Sequence, residues 1–182
     1  SLAGAAVSNP RGAESVFSNP AGLSNAMQSS FIVGHTRYFE QDFLDYNYYS
    51  VLYKPTKKTN IALTIQKLGT KVKTDNQYQD LLSSEQSISI SQGFALLKDR
   101  NSSLSLGYNL NYLILKQGKT AGSEGDGSNG LASKEITAVG LDLGILATLR
   151  DKVMMGVFMK NINSPKIGRA NLSIYLPRKM NI

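Results

Sequence analysis

Leu104, Leu106, Tyr108, Leu110, Tyr112 and Ile114 occupy every second position of Ser103–Gln117, with Ser103, Ser105, Gly107, Asn109 and Asn111 between them. Ile136–Leu149 repeats the pattern. Val139, Leu141, Leu143, Ile145, Ala147 and Leu149 alternate with Ala138, Gly140, Asp142, Gly144, Leu146 and Thr148. In Gln86–Leu97, Ile88, Ile90, Phe94 and Leu96 oppose Ser87, Ser89, Ser91, Gly93 and Ala95. A period of two puts successive side chains on opposite faces of a strand, so each strand meets a different environment on each side. A soluble antiparallel sheet turns its second face to bulk water and fills it with charge. Here that face is Ser, Gly, Asn, Ala and Thr, nearly without charge. Small neutral polar residues suit the inside of a narrow or plugged barrel, with the large apolar residues turned outward to lipid. The run lengths agree: soluble strands average about five or six residues, whereas a tilted membrane strand needs roughly 9–11.

The rest of the chain fits an antiparallel array. Further strands are expected at Ser30–Phe39, Asp45–Lys54, Asn60–Leu68 and Val153–Ile162, with another beginning near Ala170. Short connections (Lys54–Thr59, Lys98–Ser102, Arg150–Lys152) alternate with long ones (Gly69–Glu85, Gly118–Glu135, Asn163–Arg169). Such alternation is the loop pattern of outer-membrane barrels. The exception is the short Glu40–Leu44 connection. Tyr38, Phe39, Phe43, Tyr46, Tyr48, Tyr49 and Tyr53 cluster, as in an interfacial aromatic girdle or a hairpin core. If Arg150–Lys152 is a three-residue turn, Leu149 faces Val153, and Asp142 lies opposite Lys160 as an interior charge pair. The expected lipid-facing set is Leu104, Leu106, Leu110, Leu141, Leu143 and Ile145.

Residues 1–28 read differently: Ala, Gly, Ser and Asn with two Asn-Pro turns, and short helical turns near Ala13–Phe17 and Pro20–Ser24. The expected organisation is therefore an irregular N-terminal segment over 1–28 and antiparallel strands over 29–182. The start without Met, and an alternation still running at Met180 and Ile182, suit a fragment of a longer protein.

Several chemistries are disfavoured. With no Cys there is no thiolate metal site and no cysteine nucleophile, and a single His excludes a multi-histidine centre. His35 has no nucleophile or acid motif beside it. Gly118-Lys119-Thr120 lacks the upstream Gly and following helix of a phosphate loop. Glu124 and Asp126 lack a full calcium ligand pattern. The net charge of +7 is densest at Lys54, Lys57, Lys58, Lys67, Lys71 and Lys73, which straddle a strand and its ends. That arrangement suits charged turns or anionic headgroups better than nucleic acid. No catalytic residue, metal or cofactor is expected.

Three motifs carry a family resemblance. Ala3-Gly4-Ala5-Ala6-Val7 followed by Asn19-Pro20-Ala21-Gly22-Leu23 resembles the opening of the PorV/PorQ-type outer-membrane proteins, within the FadL-like (long-chain fatty-acid transporter) superfamily. Asn9-Pro10-Arg11 replaces that family's usual acidic residues. Val139–Leu146 is similar to its "A-x-D-L-G-x-L-Y", and Gly156–Ile167 to its "G-x-x-x-x-N-x-G-x-x-I". The resemblance implies a Gram-negative outer-membrane protein, a transmembrane barrel of about 14 strands of which this chain holds the first half. It implies that Asn19, Pro20, Ala21 and Gly22 form a plug motif. It further implies transport of hydrophobic small molecules or a role in secreting a cargo protein, and no enzymatic chemistry. The alternatives are a soluble β-barrel or sandwich binding lipid or a partner, and a structural or adhesive outer-membrane barrel.

Overall fold

A computed structural model describes residues 7–10, 12–37, 44–56, 58–74, 77–119, 129–130, 132–150, 152–167 and 174–182. The strands are β1 (Ser30–Arg37), β2 (Leu44–Tyr53), β3 (Thr59–Thr74), β4 (Gln77–Lys98), β5 (Ser103–Gln117), β6 (Lys134–Leu149), β7 (Val153–Lys160), β8 (Lys166–Ile167), β9 (Ile174–Tyr175) and β10 (Lys179–Asn181). Eight of them form a single antiparallel sheet in the order β1-β2-β3-β4-β5-β6-β7-β10, while β8 pairs with β9. The expected barrel is not closed. The sheet is open, with β1 and β10 as its edges.

The strand at Ser103–Gln117 has the bounds the alternation predicts. The Arg150 turn also sets the predicted register: Leu149 pairs with Val153, Ala147 with Met155 and Leu143 with Met159. Arg150 takes a left-handed backbone (φ 51) to make that turn. One expectation fails. Gly69–Glu85 is not a long loop, because β3 continues to Thr74 and β4 starts at Gln77. Two register shifts near Thr70 and Val72 keep the backbone ladder going. These residues are mostly polar and carry no hydrophobic alternation, so periodicity alone missed them. The strand expected near Ala170 begins outside the described residues. The next elements along the chain are β9, paired with β8, and β10, paired with β7.

The two faces of the sheet differ as the alternation predicts. Phe31, Val33, Val51, Leu63, Ile90, Leu110, Val139 and Ile145 are exposed on one face. Ser50, Thr64, Ser89, Ser91, Ser105, Asn109 and Asp142 are buried on the other. What buries the polar face is the N-terminal segment. A 3-10 turn (Gly12–Glu14) leads into one turn of helix, α1 (Ser15–Ser18), and then a longer 3-10 helix over Pro20–Asn25. Its apolar residues Ala13, Val16, Leu23 and Ala26 form one cluster with Leu52 and Ala62 of the sheet.

A row of glycines makes the seat. Gly93 pairs with Gly107 across β4–β5, and Gly107 with Gly144 across β5–β6. A Cβ on Gly107 would lie 2.3 Å from Ala21 N, and one on Gly144 would lie 2.9 Å from Pro20 Cδ. Only side-chain-free strands let the helix backbone approach this closely.

Candidate functional site

The segment is held by buried asparagines. Asn19 is fully buried. Its Nδ2 donates to the carbonyls of Val7 and Ile145, each at 3.0 Å, and its Oδ1 accepts from Ala21 N at 3.1 Å, capping the helix that starts at Pro20. Asn60 Nδ2 donates to Leu23 O, and Asn109 Nδ2 to Val16 O at 3.0 Å. Pro20, Ala21 and Gly22 are buried with Asn19, and a Cβ on Gly22 would strike Pro10. The four residues thus form one packed turn against β4–β7.

Beyond that turn the inner face changes character. Odd positions of β5 pass from Asn109 and Asn111 to Leu113 and Leu115. Even positions of β6 run from Asp142 back through Ala138 to Ile136. These residues, with Val16 and Phe17 of α1 and Ile167 and Leu176 from beyond β7, line an open cavity of about 580 Å³. The cavity is amphipathic. Leucine, isoleucine, valine and phenylalanine line much of it, while Ser87, Ser89, Asn109, Asn111, Asp142 and Lys160 contribute polar groups.

Asp142 is buried and its carboxylate is fully engaged. Oδ2 accepts from Asn111 Nδ2 at 2.8 Å and Asn109 Nδ2 at 3.2 Å, and Oδ1 accepts from Asn161 N at 2.9 Å. Lys160 lines the same cavity, with its Nζ 5.4 Å from the Phe158 ring centroid. Among the described residues no ion pair joins Lys160 to Asp142. Asn161 turns into the left-handed region (φ 53) directly after β7, and its backbone N–H donates to Asp142 Oδ1. Sequence reading missed these amide partners because each lies on a different element from Asp142.

The six apolar residues named from periodicity lie on the face opposite Asp142. Leu110, Leu143 and Ile145 are exposed there, and Leu104, Leu106 and Leu141 are half-buried. The aromatic cluster is split by strand alternation. Tyr49 and Tyr53 are exposed on the outer face. Tyr46 and Tyr48 turn inward, Tyr48 packing edge-to-face on Phe17 with ring centroids 5.6 Å apart. Tyr38, Phe39 and Phe43 lie outside the described residues, as do Glu124 and Asp126. His35 is exposed, with Nδ1 2.7 Å from Asn47 Oδ1. Among the described residues no group of three His, Cys, Asp or Glu side chains is arranged to hold a metal. Among them, too, no helix is long and apolar enough to cross a membrane.

Comparison with known proteins finds no matching family model, no matching curated protein and no matching solved structure.

Proposed function

We propose that this chain forms part of the wall of an outer-membrane β-barrel of the PorV/FadL-like type. In this reading the segment up to Asn25 is a plug, and the inner-face cavity receives an apolar small molecule. The observation that carries it is the inverted sheet: large apolar side chains lie exposed on one face, while Ser, Asn, Gly and Asp are buried on the other. In water such a surface is costly, since exposed apolar area costs roughly 25 cal/mol per Å². In lipid it is the stable arrangement, because apolar residues outward and polar residues inward match the two solvents. The strand lengths suit a span as well, with 15 residues in β5 and 16 in β6.

The cavity favours small-molecule passage over cargo secretion. It is bounded on one side by the seated segment and lined by apolar side chains interspersed with polar groups, which is the composition of a ligand site. Extraction of membranes with alkaline carbonate tests the membrane reading: the protein should stay in the pellet and leave it only with detergent. Release by carbonate alone would refute the barrel and favour a soluble lipid-binding sheet. In the detergent-solubilised protein, a neutral apolar fluorophore should bind saturably, and Ala138→Trp should abolish that binding by filling the cavity.

A further inference from the structure

We infer that the short-turn end of the sheet is a binding site for anionic phospholipid headgroups. In an antiparallel sheet the β2–β3, β4–β5 and β6–β7 connections all fall at the same end. Residues 54–58, 98–100 and 150–152 contain seven Lys or Arg against two Asp, Asp99 and Asp151. The connections at the other end are mostly acidic: Glu40 and Asp42 in 38–43, Asp75 in 75–76, and Lys119 with Glu124 and Asp126 in 118–133. The charge is therefore polarised along the strands.

The cations are available. Lys58, Lys98, Arg100, Arg150 and Lys152 are exposed, whereas Lys54 Nζ is taken up by the Ala26 and Met27 carbonyls at 2.8 and 3.1 Å. The β4–β5 and β6–β7 turns touch, since Arg150 N donates to Ser102 Oγ at 3.3 Å. Directly below them a groove of about 360 Å³ runs between the two hairpins, lined by Leu97, Leu104, Leu149, Val153 and Met155 together with Asp99. Leu97 and Met155 are each 66% exposed. Lys98, Arg100, Arg150 and Lys152 adjoin the lining residues Leu97, Asp99, Leu149 and Val153 in the chain, and cations beside an apolar groove fit one occupant: a lipid whose acyl chain lies in the groove and whose phosphate meets the turns. Guanidinium suits phosphate geometry. A nucleic acid would use the charge and leave the groove empty.

The inference rests on the membrane reading above. The test offers the full chain, purified in mild detergent, equal amounts of phosphatidylglycerol and phosphatidylcholine with identical acyl chains. Retained lipid is then measured by mass spectrometry. Wild type should retain the anionic lipid with roughly tenfold preference, and that preference should fall in high salt. Lys98→Gln, Arg100→Gln, Arg150→Gln and Lys152→Gln combined should abolish it. The same number of changes at Lys119, Lys134, Lys166 and Lys179 should leave it intact. Equal retention of the two lipids by wild type, or equal preference in wild type and the turn variant, would overturn the inference while leaving the membrane reading standing. Release by carbonate without detergent would overturn both.

Discussion

Gly107→Ala tests whether the N-terminal segment depends on the glycine row. The added Cβ would lie 2.3 Å from both Ala21 N and Pro20 C, and 2.5 Å from Pro20 O. Carbon contacts are optimal near about 3.5–4.0 Å, so the overlap exceeds an ångström. The atoms it meets are backbone, which cannot rotate away. Overpacking of this kind costs about 1–3 kcal/mol. That converts to roughly a five- to 150-fold loss of closure, at about 1.4 kcal/mol per tenfold. Gly140→Ala is the matched control. It lies on the same face of β6, and its Cβ would approach Asn161 Oδ1 no closer than 3.2 Å. The assay is hydrogen exchange read by mass spectrometry on peptides covering residues 12–25, in the detergent-solubilised protein. Gly107→Ala should accelerate exchange there by a factor in that range while β5 and β6 stay protected. Gly140→Ala should match wild type. Wild-type protection of 12–25 in Gly107→Ala would refute the seat.

Other substitutions probe the remaining contacts. Asn19→Ala removes the bonds to Val7 and Ile145 and the cap on Ala21 at a fully buried position. Each group left unpaired costs about 1–3 kcal/mol, so the melting temperature should drop measurably, with the segment released first. Asp142→Leu leaves the Asn109, Asn111 and Asn161 donors facing an apolar group. It should destabilise by a similar amount in chemical denaturation, and Asp142→Asn by less. Leu143→Lys puts a charge on the exposed apolar face, and in a bilayer should impair assembly by roughly 2–4 kcal/mol. Unchanged assembly in lipid vesicles would argue against a lipid-facing position.

Much of the architecture could be read locally. Strand identity in β5 comes from strict alternation between Ser103 and Ile114, because a period of two needs only neighbouring residues. The β6–β7 register came from the length of one turn. Where alternation weakened, reading failed. Residues 69–85 looked like a loop because their polarity carries no face preference, yet β3 and β4 continue through most of them. The tyrosines near position 48 form one cluster in the sequence, suited to an aromatic girdle or a hairpin core, although a strand necessarily sends Tyr48 and Tyr49 to opposite sides.

The candidate site was legible only in pieces. Asn19-Pro20-Ala21-Gly22 stood out as a capped turn, and Asp142 as a charge inside a strand. Nothing local showed that Asn109 and Asn111 would meet Asp142, or that Leu113, Leu115 and Ile136 would turn the inner face apolar beside Phe17.

In Ser103–Gln117 and Ile136–Leu149 the sequence alone determined that the residues are strands and which face each side chain takes, because both depend on backbone geometry within a few residues. Tertiary structure decided what those faces meet. Gly93, Gly107 and Gly144 become one row only through the registers of β4, β5 and β6. Those registers depend on turn lengths and on pairing between residues far apart in the chain. The seat for the N-terminal segment, the amide shell around Asp142 and the cavity beside them are all products of that alignment.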